Sequence, residues 1–365
     1  MSILKIFIIL YTILLVLIFL GLLAINLSSY KKKPQLYKNF KLDKSFKTLV
    51  ICPCKGVDVT LNENLKSLKY QSYKNYDLLC VVDNKGDPAV KVIKEQKINY
   101  IISDKNIGNG SGKVRAIATA LSRFKNYDIY IIADSDVTFV SDWVENLVKP
   151  FSCKKIGATT SYPFFNPING FWSKVKMVWS YAGNGMMESD ITIFGWGGSL
   201  AFRKSLFSNE IIKDFANSLS DDIYITKLVK SNRLKLYYKS MQIKVNSNDS
   251  FKVFWEWSNR QTALTLLGYP KNFTYGVIFY SVQELLLFSS IILSILITPL
   301  YLILLLPFIL GEIKTIKRSY RYKIYSIFIF FFINIIYVIN LVKAKNMTQI
   351  TWRGRDYKMS QNLSK

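Results

Sequence analysis

Two aspartates stand two residues apart where a hydrophobic run of the chain ends. In DIYIIADSDVTFV, the apolar run from Ile129 to Ala133 is typical of a buried β-strand, and Asp134 and Asp136 follow it directly. Side chains two residues apart in an extended chain point the same way, so these carboxylates repel each other unless a positive charge lies between them. The pair suits a hard divalent cation, Mg²⁺ or Mn²⁺, and the alternative is an ordinary turn capped by Asp-Ser-Asp.

A second acidic pair opens a helical pattern in SLSDDIYITKLVKSNRLKLYY. Asp221 and Asp222 follow Ser220, where an aspartate caps a helix and interacts favourably with the helix dipole. The same position also suits a general base at a cleft. Neighbouring carboxylates influence each other's protonation, so one aspartate can cap the helix while the other accepts a proton.

Two glycine-rich stretches supply candidate contacts for phosphate. NIGNGSGKVRAIATAL departs from a P-loop at Ile107 and Val114, which leaves a flexible backbone and Lys113 at a helix start as a candidate diphosphate contact. In FGWGGSLAFRKSLF, Gly197 and Gly198 either let the backbone approach a ligand or make a tight bend.

Tryptophan and arginine occur together near the apolar blocks of the chain. Arg260 lies in FWEWSNRQTAL, and Trp352 and Arg353 open the sequence WRGR beyond the last apolar block. Both clusters have an alternative interpretation as anchors at a membrane interface.

The chain has no histidine, which excludes a histidine base, a Ser-His-Asp triad and histidine-ligated zinc. The four cysteines, Cys52, Cys54, Cys80 and Cys153, do not form the two close pairs of a zinc site. We interpret them as small buried hydrophobes in a reducing compartment, with no disulfide framework.

The segments that must position these residues alternate between two patterns. TLVICPC, DLLCVVD and IYIIAD predict strands, and NENLKSLKYQ and GKVRAIATALSRF predict helices. This alternation predicts a parallel sheet covered on both faces. Ligands of such sheets bind at the carboxyl ends of the strands, where Asp83 and Asp134 stand.

Apolar blocks flank the alternating region. Ile6–Ile25 is an uncharged run long enough to cross a bilayer, and seven lysines between Tyr30 and Lys47 place the following flank in the cytosol. Gly276–Leu310 predicts one long span or two short ones, and Tyr325–Val342 predicts another. Because basic loops follow both, either the first block is a hairpin and the second is re-entrant or interfacial, or one basic loop lies outside.

The formal net charge of +25 indicates a negatively charged partner. Much of this charge is lysine next to apolar blocks, and no aromatic-plus-arginine recognition motif accompanies it. The charge therefore favours a membrane surface over nucleic acid.

The order of these motifs resembles the membrane-bound family 2 glycosyltransferases of the GT-A fold, and most of all the ceramide glucosyltransferases, over residues 48–358. The motifs that carry the resemblance are PCKGVD (Pro53–Asp58), YDLLCVVDNKGDPA with Asp83, DSD, GWGGSLAFRK, SDD with Asp222, and ITWRGRDYK. The resemblance implies an α/β catalytic domain with a Rossmann-like, mostly parallel sheet and transmembrane helices at both ends. It also implies an inverting, metal-dependent transfer of a sugar from a nucleotide-sugar, a UDP-hexose, to a lipid acceptor hydroxyl at the cytosolic membrane face.

The resemblance also implies roles for individual residues. Asp222 would be the catalytic base, assisted by Asp221 and Arg260, and Asp134 and Asp136 would hold Mn²⁺ or Mg²⁺. The donor-binding residues would be Pro53, Lys55, Asp58, Asp83, Lys113, Asp134, Gly197, Gly198, Trp352 and Arg353.

The chain departs from the family pattern (Gln/Arg)-x-x-Arg-Trp, because Trp257-Ser-Asn-Arg260-Gln261 retains only the arginine. A processive polysaccharide synthase of the same family is the alternative function, although the few spans and the broken motif argue against it. A non-catalytic membrane scaffold is a further alternative.

We expect five segments along the chain. They are an N-terminal anchor (1–28), a basic juxtamembrane linker (29–47), a cytosolic GT-A domain (48–272), C-terminal membrane or interfacial helices (273–345) and a basic cytosolic tail with the WRGR motif (346–365).

Overall fold

The structure, a computed structural model, describes residues 3–28, 40–190 and 192–359. Most of the expected linker, residues 29–39, and the end of the expected tail, residues 360–365, lie outside the described residues. The described residues form two compact units. The helical unit comprises residues 3–28, Lys174–Tyr181 and Gln261–Asn346. The sheet unit comprises the described parts of Tyr37–Ser173, Ala182–Arg260 and Met347–Lys365.

The described residues include twelve strands and thirteen α-helices. The strands are β1 (Thr48–Cys54), β2 (Tyr76–Val82), β3 (Asn99–Ile102), β4 (Ile129–Ala133), β5 (Val137–Thr138), β6 (Ile156–Thr160), β7 (Phe164–Asn169), β8 (Ser199–Arg203), β9 (Lys235–Tyr238), β10 (Lys244–Asn248), β11 (Gln349–Trp352) and β12 (Arg355–Lys358). The helices are α1 (Ile3–Ser28), α2 (Leu61–Lys69), α3 (Ala89–Glu95), α4 (Gly112–Arg123), α5 (Trp143–Val148), α6 (Phe171–Trp179), α7 (Tyr181–Met187), α8 (Asn209–Phe215), α9 (Asp221–Ser231), α10 (Phe251–Gly268), α11 (Asn272–Leu296), α12 (Leu306–Arg318) and α13 (Lys323–Lys345).

The sheet unit is built on a seven-stranded sheet in the order β3-β2-β1-β4-β8-β6-β9. The first four strands of this order are parallel, β8 runs antiparallel between β4 and β6, and β9 is parallel to β6. The expected mixed α/β fold with a mostly parallel sheet is therefore confirmed. A smaller sheet, β5-β10-β7, lies beside the DSD segment because β5 begins at Val137.

The central strands are apolar throughout because both of their faces are covered. Along β1, Val50 and Cys52 pack into one core cluster, while Leu49 and Ile51 pack into a second cluster, the one that contains the buried face of α4. Strands buried on both faces have continuous apolar sequences rather than alternating ones. Cys52, Cys54 and Cys80 belong to the first cluster and are almost completely buried, as expected for small hydrophobic side chains.

The helical unit holds α1 against the C-terminal helices through polar contacts. The hydroxyl groups of Tyr11 and Ser289 lie 2.6 Å apart, and those of Thr12 and Tyr301 are equally close. Near the other end of α1, Asn26 Nδ2 donates to the carbonyl of Pro307 at 3.3 Å. Polar side chains on apolar helices gain most when they pair with each other rather than face lipid.

The apolar block Gly276–Leu310 is divided into two helical segments. Helix α11 ends at Leu296, and a 3-10 segment begins at Pro299, a residue that lacks the N–H needed to continue a helix. Among the described residues, four helical segments are long and apolar enough to cross a membrane. They are Ile3–Leu27, Asn272–Leu296, Pro299–Arg318 and Tyr320–Lys345.

Candidate active site

The carboxyl ends of three neighbouring parallel strands carry the first group of expected site residues. Lys55 follows β1, Asp83 follows β2 and Asp134 follows β4. Because these strands are adjacent in the sheet, the three side chains lie along one edge. Pro53 lies within β1 opposite Val81 and is half-buried.

A lysine lies between two of the expected acidic residues. Lys113 Nζ is 2.6 Å from Asp134 Oδ1 and 3.1 Å from Asp221 Oδ2. The side chains of Lys113 and Asp221 are only 11% and 5% exposed, so water screens this pair weakly. For Asp134, the positive charge that a strand-end carboxylate requires therefore comes from Lys113.

Burial and charge act in opposite directions on this cluster. Burial lowers the pKa of Lys113, but the charges of Asp134 and Asp221 outweigh it and raise that pKa above its ordinary value. Burial raises the pKa of Asp221, and the like charges of Asp222 and Asp134 add to this, whereas Lys113 lowers it. The ammonium therefore stays charged, and Asp221 is held as its buried counterion.

The glycine-rich stretch before Lys113 is fixed by close backbone packing. The N–H of Gly110 donates to the carbonyl of Ala216 at 2.9 Å, and the N–H of Ser111 donates to the carbonyl of Ser218 at 3.1 Å. Ser111 Oγ then accepts from the N–H of Val114 and caps α4. These hydrogen bonds connect the start of α4 to the segment that leads to Asp221.

Replacing Gly110 by Ala is expected to destabilise the sheet unit. A Cβ at position 110 would lie 2.3 Å from the carbonyl oxygen of Ser218, and neither backbone can move without disturbing the other. Such overpacking costs about 1–3 kcal/mol. Thermal unfolding of the purified protein checks this, with Gly185→Ala as control because nothing lies within 4 Å of a Cβ there. Equal melting temperatures for the two variants would contradict the close packing.

The two adjacent aspartates at the start of α9 have different surroundings. Asp221 is buried against Lys113, whereas Asp222 is half-buried and its Oδ1 accepts from the N–H of Ile223 at 2.8 Å and from the hydroxyl of Ser220. Ser220 is the N-cap residue of α9. One carboxylate is therefore a counterion inside the protein, and the other is held at a helix N-terminus beside solvent.

The glycines of GWGGSLAFRK fit tightly against this cluster. A Cβ at Gly197 would lie 2.4 Å from Asp221 Oδ2 and 2.8 Å from Lys113 Nζ. A Cβ at Gly198 would lie 2.2 Å from the ring of Trp196, and the carbonyl of Gly198 accepts from the N–H of Asp134 at 3.3 Å. Any side chain at position 197 would therefore displace the ion pair.

A hairpin near the C-terminus of the chain binds the other acidic residues of the edge. Strands β11 and β12 are joined by Arg353 and Gly354, with φ of 51° and 71°. Arg353 Nη2 lies 2.6 Å from Asp58 Oδ1, and Arg355 binds Asp83 through Nη2 and Nη1 at 3.0 and 3.3 Å. The hairpin thereby joins the segments after β1 and β2, to which the family resemblance assigns donor binding.

Further contacts complete the attachment of the hairpin. The hydroxyl of Tyr357 accepts from the N–H of Gly112 at 3.1 Å, at the start of α4. Ser135 Oγ donates to Asp58 Oδ2 at 2.6 Å, and Lys55 Nζ lies 3.6 Å from Asp83. Sequence analysis missed Arg355 and Tyr357 as site residues, although the second arginine of WRGR was an available signal.

Arg260 joins this group from α10. Its guanidinium lies 5.5 Å from the ring centre of Trp352, in cation–π geometry. Burial, and then the charge of Arg353, lower the pKa of Arg260 to about 10. The charge of Asp136 acts on both arginines. Asp134 thus forms an ion pair with Lys113, and the charge of Asp136 acts to raise the pKa values of the two arginines.

The fold is that of the GT-A glycosyltransferases. A mannosyltransferase from Pyrobaculum calidifontis, solved in complex with GDP-Man and Mn²⁺, superposes with a TM-score of 0.50 at 15% identity, covering 91% of this chain and 97% of that chain. A glucosyl-3-phosphoglycerate synthase from Mycobacterium tuberculosis, solved with Mn²⁺ and UDP-glucose, gives a TM-score of 0.42 at 15% identity over 61% of this chain and 79% of that chain.

The family follows from the sequence match. The model of glycosyl transferase family 21 matches residues 11–364, and the chain belongs to that family. The protein is therefore a glycosyltransferase, which excludes the interpretation as a non-catalytic scaffold. The match is to family 21, whereas the motif order indicated family 2, and the resemblance to ceramide glucosyltransferases stays a proposal.

Proposed function

We propose that the protein transfers a hexose from a nucleotide-sugar, UDP-hexose, to a hydroxyl group of a lipid at the membrane surface, with inversion at the anomeric carbon. The observation that carries this proposal is the Lys113, Asp134 and Asp221 cluster with Asp222 beside it, at the carboxyl ends of the strands. Family membership and the four candidate membrane spans among the described residues support a membrane-bound transferase. The mannosyltransferase of similar fold was solved with a nucleotide-sugar and Mn²⁺.

The residues at the end of β4 fit a divalent metal. Asp134 and Asp136 offer hard oxygen ligands two residues apart, the donor set that Mg²⁺ and Mn²⁺ prefer. Asp134 would hold the ion with support from Asp136. When bound, such an ion neutralises charge on the leaving diphosphate. Lys113 already pairs with Asp134 and would contact the same diphosphate.

Other residues would bind the donor, stabilise the leaving group and accept the proton of the acceptor. Lys113 and Arg260 supply positive charge where negative charge grows on the leaving group, which lowers the barrier to departure. Asp58, Asp83 and the hairpin residues Trp352 and Arg353 would hold the nucleoside. Asp222, placed at a helix N-terminus and open to solvent on one side, would accept the proton of the acceptor hydroxyl as it attacks the anomeric carbon.

The first test is turnover of a panel of UDP- and GDP-sugars with Mn²⁺ or Mg²⁺ and total host lipids as acceptor. We expect one labelled glycolipid on chromatography, lost on adding EDTA and lost in Asp134→Ala. The Asp142→Ala variant is the control, because Asp142 lies on the same unit just before α5. A long water-soluble polymer would instead favour a polysaccharide synthase, and EDTA-resistant turnover would contradict the metal assignment.

We also propose that the sheet unit faces the cytosol, with an even number of membrane crossings between Gln261 and Asn346. The hairpin beyond Asn346 is bonded to Asp58 and Asp83, so the chain returns to the side from which it entered the helical unit. Three candidate spans lie in this interval, and hence at least one of them does not cross. The lysine-rich flank after α1 supports the cytosolic orientation.

Cysteines introduced at the exposed positions Lys41 and Lys358 test this topology. In intact cells we expect both to resist a membrane-impermeant maleimide and to react after permeabilisation. Labelling of Lys358→Cys alone in intact cells would show an odd number of crossings. Labelling of both positions in intact cells would show that the sheet unit faces the outside of the cell.

A further inference from the structure

The exposed hydrophobic side chains of the sheet unit are concentrated in one region. Among its described residues, seven large hydrophobic side chains are exposed, and four of them, Ile168, Phe171, Phe251 and Val253, belong to two short stretches. Single exposed hydrophobic residues are ordinary on a soluble surface. A concentration of them marks an interaction surface.

Strands β7 and β10 bring these two stretches together. The strands are parallel, with Asn169 opposite Asn248, and each is followed directly by a helix, α6 or α10. The N–H of Asp249 donates to Ser173 Oγ at 2.6 Å. Gly170 turns the chain with φ of 79°, and a Cβ there would lie 3.2 Å from the carbonyl oxygen of Asp249. The first turns of the two helices are thereby held side by side.

Aromatic rings from both helices form one cluster, which we call the aromatic patch and define as Phe171, Trp172, Phe251 and Trp255. The ring of Trp172 lies 5.5 Å from that of Phe171 and 4.7 Å from that of Phe251, which lies 5.6 Å from that of Trp255. Trp172 also stacks at 5.5 Å on Phe254, which is completely buried. The patch therefore rests on the core, while Phe171 and Phe251 remain 46% and 50% exposed.

We propose that the aromatic patch is inserted into the headgroup region of a lipid bilayer. The chain passes into the helical unit, which holds the candidate spans, only a few residues after the patch along α6 and again along α10. Trp is enriched at the level of lipid headgroups, and Trp, Phe and Leu form the apolar face of helices that lie in a membrane interface. Lys252, exposed next to Phe251, supplies the positive charge that anionic headgroups attract.

The role of the patch in catalysis rests on the proposed function, because it requires that the acceptor is a lipid. A lipid acceptor presents its hydroxyl group at headgroup depth, so a patch inserted to that depth fixes the height of the sheet unit above the bilayer. The patch itself needs only a membrane and does not depend on which sugar or lipid reacts.

Spin-label accessibility in the full-length protein tests the insertion directly. Phe171→Cys and Phe251→Cys would be made in a Cys153→Ser background, since the other three cysteines are buried. After labelling and reconstitution in vesicles of phosphatidylcholine and phosphatidylglycerol, collisions with oxygen and with a water-soluble nickel chelate would be compared. The control is Tyr70→Cys, an aromatic position of the same unit that is 62% exposed.

Insertion predicts that the labels at positions 171 and 251 collide more with oxygen than with nickel, whereas the label at position 70 does the reverse. Nickel accessibility equal to that of position 70 would overturn the proposal. Labels shielded from both reagents would also overturn it, because a protein surface or a second copy of the chain would then cover the patch.

A functional measurement separates this inference from the proposed activity. In Phe171→Ser/Phe251→Ser, we expect transfer to lipid in vesicles to fall several-fold while the KM for the nucleotide-sugar stays unchanged. Tyr70→Ser should change neither. If the wild-type protein transfers no sugar at all, the proposed function fails, and the spin-label result still decides whether the patch is inserted.

Discussion

Replacing Asp222 by Asn is expected to abolish sugar transfer while leaving binding of the nucleotide-sugar intact. A general base contributes about 10²–10⁴-fold to a rate, so kcat should fall by roughly three orders of magnitude. The amide of Asn can still accept from the N–H of Ile223 and from Ser220, the two bonds that hold Asp222 at the start of α9. The variant should therefore keep its fold and lose only the proton acceptor.

The measurement combines steady-state kinetics with donor binding by calorimetry in detergent. The matched control is Asp214→Asn, because Asp214 is a carboxylate of α8 that accepts from the hydroxyl of Tyr224 away from the strand ends. Unchanged kcat in Asp222→Asn would remove Asp222 from the role of base. Loss of donor binding in the same variant would instead place Asp222 among the groups that hold the nucleotide.

The sequence predicts the central strands well for a physical reason. β1, β4 and the second half of β2 are buried on both faces, and such strands are recognisable as continuous apolar runs ended by polar residues. The sequence does not predict β8, because SLAFR directly follows two glycines, which indicate a tight bend. Its antiparallel direction depends on pairing with β4 and β6, which are distant in the sequence.

The acidic residues of the candidate site are predicted from their positions at strand and helix ends and from the family resemblance, but their partners are not. Lys113 was expected to contact a diphosphate, and nothing in the sequence showed that it lies between Asp134 and Asp221. The sequence does not predict the C-terminal hairpin either. Its turn places Arg353 at positive φ, a conformation that hairpins usually assign to Asn or Gly, so the sequence carries no strong turn signal.

Removing the charge of Lys113 is expected to destabilise the protein and to make its stability depend on a divalent cation. In Lys113→Met the aliphatic chain is kept, but Asp221, only 5% exposed, loses its counterion. Breaking a buried ion pair by removing one partner costs about 3–5 kcal/mol. Partial exposure of Asp134 and uptake of a proton by Asp221 reduce this cost, so we expect about 3 kcal/mol.

The metal dependence distinguishes this explanation from a simple packing defect. In the wild type, Lys113 already forms an ion pair with Asp134. A divalent cation bound there therefore stabilises the folded protein less than it does in a variant that lacks the lysine. A ligand that binds only the folded state stabilises it in proportion to the logarithm of its concentration over its dissociation constant. We therefore expect millimolar Mn²⁺ to raise the melting temperature of Lys113→Met by more than that of the wild type.

Thermal unfolding in EDTA and in a Mn²⁺ series measures both effects, with Lys105→Met as the control, since Lys105 is exposed in the loop that precedes α4. A loss of stability that Mn²⁺ does not reverse would mean that Lys113 supports packing rather than charge balance at the strand ends. Restored stability without restored transfer is the expected outcome, because a cation at Asp134 replaces the counterion of the resting protein. It does not replace the ammonium that we propose contacts the leaving diphosphate.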